Sequence, residues 1–162
     1  MKYLVNDTET VGLNPPKNGG SGVVEVAYAE IDPVTLKITD EFVSRVNPGC
    51  SIDPGASKVH GIYDADVFDC PALNEVFAMP EATISIGHNT QFDIKFLAPC
   101  YENLAGSLCT LALARQYVKG SENHKLGTLA AHLGLPPAKA HSALGDVHTT
   151  VHLLRWLVDK SG

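Results

Sequence analysis

The chain has 162 residues, 44% of them hydrophobic, and a formal net charge of −6. That length suits one domain, residues 1–162, with a single substantial core and little room for a disordered tail. The negative balance argues against gripping duplex nucleic acid through a broad basic face, and no apolar run is long enough to cross a bilayer.

Lys2–Asn6 reads as a short apolar first strand, and residues 12–22, with four glycines and two prolines, as a loop. Val23–Ile31 alternates well enough for a second strand, and Asp32-Pro33 breaks it. Leu36–Val46 is the expected third, paired antiparallel with the second as a hairpin. Residues 47–69 look irregular, with Pro48-Gly49 and Asp53-Pro54-Gly55 as turn signals and a brief helical turn over 57–63. Pro71–Ala78 predicts a helix, Thr83–Gly87 a buried strand, and Thr90–Ala98 a helix stopped by Pro99. Gly106–Cys109 is a short strand candidate, after which Thr110 is expected to cap a helix running to about Val118. Lys125–Leu133 predicts a helix closed by Gly134. Ala143–Val158 predicts the last one, capped by Ser142 and striped by Leu144, Val147, Val151, Leu154 and Val158. Three strands followed by alternating helices and strands imply an α/β fold with a mixed sheet flanked by helices.

The four cysteines are far apart and form no Cys-x-x-Cys pair, so a zinc site or disulfide framework is not expected. With no signal-peptide character at Met1-Lys2-Tyr3, the expected compartment is the cytoplasm, without membrane association.

Four acids carry the candidate chemistry. Asp7 and Glu9 are two apart, so on an extended segment both point the same way, where they repel and lose hydration unless a cation sits between them. A solvent-facing pair in a loop is the plainer alternative. Asp93 falls in the first turns of the helix after Gly87, where an acid also favours the helix N-terminus. His88 and Asn89 before it are placed to cap that helix or touch a substrate. Asp146 interrupts the apolar stripe of the last helix and should face the sheet, with His141 just before it. His141 could equally bond a neighbouring carbonyl. Hard oxygen ligands suit Mg²⁺ or Mn²⁺, and a pair of such ions about 4 Å apart is the apparatus of phosphodiester hydrolysis, with a histidine to accept a proton.

The residues around these acids resemble the motifs of DEDDh 3′→5′ exonucleases, the superfamily of the bacterial DNA polymerase III proofreading subunit, oligoribonuclease and ribonuclease T. Residues 6–13 (Asn-Asp-Thr-Glu-Thr-Val-Gly-Leu) match the first motif, 87–93 (Gly-His-Asn-Thr-Gln-Phe-Asp) the second, and 141–146 (His-Ser-Ala-Leu-Gly-Asp) the third. Connecting segments at 59–62, 110–115 and 125–130 are also similar to proofreading-type members. The resemblance implies a ribonuclease H-like fold with a mixed five-stranded sheet, and two divalent ions, Mg²⁺ or Mn²⁺. It implies Asp7, Glu9 and Asp146 as ligands of the first ion, Asp7 as the bridge to the second, Asp93 completing the set partly through water, and His141 as general base. Thr8, Thr10 and Leu13 would receive the terminal nucleotide, with His60, Asn89 and Phe92 lining the pocket.

The implied reaction is stepwise release of nucleoside 5′-monophosphates from a 3′ end, preferably single-stranded DNA. RNA and short oligonucleotides remain open as substrates, as does a non-catalytic nucleic-acid-binding scaffold on the same fold. A polymerase or other replication or repair protein is left open as a partner, as is the oligomeric state. Two departures stand out: a longer, glycine-rich link over 14–22, and Cys109 where many relatives carry an acid. Cys109 is read as a core thiol, and His124, His132, His148 and His152 as surface or packing residues.

Overall fold

Five strands form the centre of the molecule, which is described here from a computed structural model covering residues 1–101 and 104–162. They are β1 (Lys2–Thr10), β2 (Val23–Ile31), β3 (Ile38–Arg45), β4 (Thr83–Gly87) and β5 (Leu104–Cys109). The helices are α1 (Pro54–His60), α2 (Asp64–Val67), α3 (Leu73–Val76), α4 (Thr90–Leu97), α5 (Thr110–Tyr117), α6 (Leu126–Leu133) and α7 (Ala143–Ser161). Strand order is β3-β2-β1-β4-β5, antiparallel across β1, β2 and β3 and parallel across β1, β4 and β5. This is the ribonuclease H-like mixed sheet that the resemblance implied.

Period-two alternation sorts β1 onto two faces. Val5 packs with Ala27, Ile86, Val147, Val151 and Leu154, so that face is covered by α7. Leu4 packs with Val26, Phe77, Phe96 and Leu97, placing α4 on the other side. A third cluster joins α5, α6 and α7 through Ala114, Leu129, Leu153 and Leu157. Fully buried aliphatic side chains of this kind contribute about 1.5–3 kcal/mol each.

Several boundaries differ from expectation. β1 does not end at Asn6 but runs to Thr10, because β2 pairs with it all the way from Leu4 to Thr10. The expected helix at 71–78 shrinks to the four residues of α3, and α2 arises in the stretch read as irregular. The turn placed at 57–63 begins earlier, where the Asp53 carboxylate accepts a bond from the Gly55 N–H (2.7 Å) and Pro54 opens α1. Thr110 starts α5 but is not its cap; that position belongs to Cys109, with no side-chain capping bond. On α7, Val147, Val151 and Leu154 are buried whereas Val158 is 50% exposed, because the helix runs on past the sheet to Ser161. Among the described residues, no helix is long and apolar enough to cross a membrane.

The order in which strands are added switches sides between β1 and its parallel neighbour β4, with β2 and β3 laid down on one side of β1 and β4 and β5 on the other. Ligands of open α/β sheets gather at such a switch, outside the carboxyl ends of the strands. Here β1 outruns its neighbour, since pairing with β4 stops at Val5 and Ile86. The turn after β4 folds in beside the projecting half of β1. It does so closely enough that a Cβ on Gly87 would meet Thr90 Cγ2 at 3.0 Å and the Asn6 carbonyl oxygen at 3.3 Å.

Candidate active site

The projecting half of β1 carries Asp7 and Glu9 on the face of Val5, toward α7, and Thr8 and Thr10 on the other. α7 brings Asp146 to the first pair, and carboxylate oxygens of Asp7, Glu9 and Asp146 lie within 4.8 Å of one another, all three residues half-buried. Burial raises every member, and repulsion by neighbouring acids adds to it for Asp7 and Glu9. Asp7 stands well above the usual carboxylate range, by burial first and then the charges of Asp93, Glu9 and Asp146. Glu9 is pushed up to about 8 by burial, then Asp146 and Glu25. Burial also raises Asp146, against the opposing charge and main chain of His141. Crowded hard oxygens, none of them in an ion pair among the described residues, are a donor set that fits a divalent cation of the Mg²⁺ or Mn²⁺ kind.

Asp93 stands beside this triad rather than in it. Its Oδ1 accepts two bonds from Thr8, one from the main-chain N–H (3.0 Å) and one from the hydroxyl (2.7 Å). The residue is 3% exposed, and burial lifts it to about 7 despite those bonds.

The start of α7 is built by close contacts. Ser142 Oγ accepts from the Gly145 N–H (3.3 Å) and donates to the Lys139 carbonyl (2.9 Å). A Cβ on Gly145 would lie 1.9 Å from that same carbonyl oxygen, so only glycine admits the turn. His141 precedes the helix at φ 56°, a left-handed conformation costing a non-glycine residue roughly 1–2 kcal/mol. It is exposed and lines a cleft of about 560 Å³ together with Asp146 and Thr149.

Thr8, Thr10, Leu13, His60 and Phe92 line one cavity of about 400 Å³, which reaches Glu9. Asn89 does not join them; it faces a neighbouring groove with His88 and Arg115. The cause is its own backbone, since Asn89 sits at φ 74° ahead of α4 and makes no side-chain capping bond. His60 has no ring nitrogen to spare. Burial holds it below its ordinary value and therefore neutral, so Nε2–H donates to the Thr10 carbonyl (3.1 Å) and Nδ1 accepts from the Ile62 N–H (3.0 Å). It offers the cavity a ring edge rather than a hydrogen bond.

Two participants were not singled out from sequence. Glu25, opposite Glu9 in the β1–β2 ladder, accepts a bond at Oε1 from the Ala143 N–H (2.9 Å), tying β2 to the first residue of α7. Its signal was an acid inside the apolar run Val23–Val26. Lys95 donates to the Leu13 carbonyl and to Asn14 Oδ1 (3.3 Å), with its ammonium 4.8 Å from the Phe92 ring centroid. Eighty-odd residues separate these partners in the chain, and no local pattern announces the contact. Three of the remaining histidines take structural partners: His132 meets the Lys119 carbonyl, His124 the Val118 carbonyl, and His148 pairs with Glu41.

The family model described as exonuclease (RNase_T) matches residues 4–154. A DNA polymerase III subunit epsilon-like protein of Rhodobacter capsulatus is 34% identical, over 93% of this chain but only 23% of its own length. The DNA polymerase III subunit epsilon of Aquifex aeolicus is 30% identical over 93% of this chain and 77% of its own. Among solved structures, Exonuclease X in complex with 5′ overhanging duplex DNA superposes with a TM-score of 0.79 at 30% identity, covering 99% of this chain and 93% of that one.

Proposed function

This chain belongs to the RNase_T family of exonucleases, and from that premise we propose that it hydrolyses DNA from a 3′ end, releasing nucleoside 5′-monophosphates. The observation that carries the reading is the convergence of Asp7, Glu9 and Asp146 within 4.8 Å at the projecting end of β1. The similarity to Exonuclease X, solved with a DNA duplex, and to polymerase III epsilon subunits supports DNA as the polymer. Residues 1–162 act as one exonuclease domain in this reading.

The terminal nucleotide occupies the cavity of Thr8, Thr10, Leu13 and Phe92, with the exposed Leu13 side chain and the Phe92 ring bracketing its base. Lys95 holds Leu13 against α4 and so fixes the width of that slot. Water attacks the terminal phosphorus and its proton passes to a ring nitrogen of His141, which the 141–142 turn places beside Asp146 in the open cleft. The bond to the 3′ oxygen of the preceding nucleotide breaks, leaving the phosphate on the released monophosphate. What two Mg²⁺ or Mn²⁺ ions held by Asp7, Glu9, Asp146 and, partly through water, Asp93 would supply here is positive charge for the nucleophile, the phosphate and the leaving oxygen.

Matched single-stranded DNA and RNA oligomers labelled at the 5′ end, incubated with Mg²⁺ or Mn²⁺, test this reading. A ladder shortening from the 3′ end of DNA is expected. Shortening of RNA alone would move the substrate to the other polymer, and binding without shortening of either would leave a nucleic-acid-binding scaffold.

A further inference from the structure

Beside the acidic centre lies a groove of about 530 Å³ whose lining carries no carboxylate, in a chain with six more acids than Lys and Arg together. Arg115 from the last turn of α5 and Lys125 from the cap of α6 are both exposed along it, and Asn89 and Asn123 line it with them. Among the described residues neither cation forms an ion pair. The walls are fixed from below. His88 bonds through Nε2 to the His124 carbonyl (2.8 Å) and through Nδ1 to the Thr110 hydroxyl (3.0 Å), locking the α5–α6 connection to the end of β4. Asn123 Oδ1 accepts from the Lys125 N–H (2.9 Å), which sets the root of the lysine and leaves the Asn123 amide N–H₂ as a donor.

Two cations and two amides facing an open groove are complementary to phosphodiester oxygens, with the arginine fork able to hold two oxygens at once. The groove is also continuous with the chemistry. Lys125 and Leu126 line both it and the cleft of His141 and Asp146, and Asn89 lies one helical turn ahead of Asp93. We propose that this groove binds the sugar–phosphate backbone of the scissile strand upstream of the bond being cut, with Arg115 and Lys125 as its phosphate contacts. The assignment rests on the exonuclease reading for which strand fills the groove, and gives that site a preference for chains longer than a dinucleotide.

The test compares wild type with Arg115→Ala/Lys125→Ala on a dinucleotide and on a DNA single strand of about ten nucleotides. Both side chains are exposed, so an unchanged melting temperature confirms that the variant folds. KM for the longer strand is expected to rise roughly tenfold, against less than about twofold for the dinucleotide, which has no upstream phosphate to lose. The slope of log affinity against log salt should shrink by roughly 1.4, the value for two single-strand phosphate contacts. Equal KM values and an equal salt slope would overturn the groove, as would an equal rise in KM for the dinucleotide and the longer strand. Fluorescence anisotropy of labelled single strands without turnover separates this from the activity. A wild type that shortens no DNA but loses affinity on the double substitution sinks the exonuclease reading and keeps the backbone site; a wild type that shortens DNA with an indifferent variant does the reverse.

Discussion

Thr8 holds Asp93 by two bonds to a single carboxylate oxygen, main-chain N–H at 3.0 Å and hydroxyl at 2.7 Å, across 85 residues of sequence. One oxygen of Asp93 is thereby fixed against β1. Thr8→Val keeps the shape and the N–H bond but removes the hydroxyl. A hydrogen bond to a charged group contributes about 1.5–3 kcal/mol, so urea unfolding should show a loss of that order. With Asp93 less well placed, kcat should fall roughly tenfold while KM moves little. Unchanged kcat would show that the hydroxyl serves packing alone.

The crowded acids make the ion-free protein sensitive to pH in a definite direction. Burial and neighbouring charge push Glu9 up to about 8, and burial pushes Asp93 up to about 7, against ordinary values of 4.5 and 3.8. Between those limits the native state keeps protons that the unfolded chain has released, so native stability falls as pH rises through this window. Denaturation in chelator across this window should show a decline of a few kcal/mol, flattened in Glu9→Gln. Mn²⁺ should restore stability most at the alkaline end, where the carboxylates are free to ligate. A stability that climbs with pH in chelator would contradict the repulsion described here.

Glu25 and Ala143 form the second long-range tie. Glu25→Ala leaves an N–H of the first turn of α7 without its partner, at a cost of about 1–3 kcal/mol, and loosens the segment bearing His141 and Asp146. Glu25→Gln retains an acceptor and removes one negative charge beside Glu9. Turnover should therefore drop in the alanine variant and return substantially in the glutamine variant. Equal loss in both would assign the effect to the charge rather than to the bond.

Gly145 is the sharpest steric constraint near the site. A methyl group there meets the Lys139 carbonyl oxygen at 1.9 Å, so Gly145→Ala must displace the 139–142 turn. A destabilisation of roughly 1–3 kcal/mol and a marked loss of activity are expected. Wild-type stability and rate in that variant would mean that the turn is not held as described.

Much of this was legible from local patterns. Val23–Ile31 and Thr83–Gly87 alternate or run apolar and end at strong breakers, and both fall where expected. Ser142 and Gly134 mark helix ends through chemistry that needs no tertiary context. Asp7 and Glu9 were expected on one face, and the strand reaches far enough to put them there only because β2 pairs along the polar half of β1. That pairing is not written in the local sequence, where the apolar run stops at Asn6. The same holds for Asn89, whose left-handed backbone turns it out of the cavity shared by Thr8, Thr10, Leu13, His60 and Phe92. Motif proximity to Asp93 carried no information about that torsion. The contacts of Glu25 and Lys95 span 118 and 82 residues and lie beyond any periodicity argument.

The most direct measurement pairs Mn²⁺ binding with hydrolysis of a 5′-labelled DNA single strand in the same samples of wild type, Asp7→Asn and Asp146→Asn. Asparagine preserves size and removes the charge on which ion binding depends. The expected result is weakened Mn²⁺ binding together with a loss of roughly 10³-fold or more in rate for both variants, with the native fold retained. Wild-type hydrolysis in either variant, or hydrolysis by the wild type that persists in excess chelator, would contradict a cation-dependent centre built on these carboxylates.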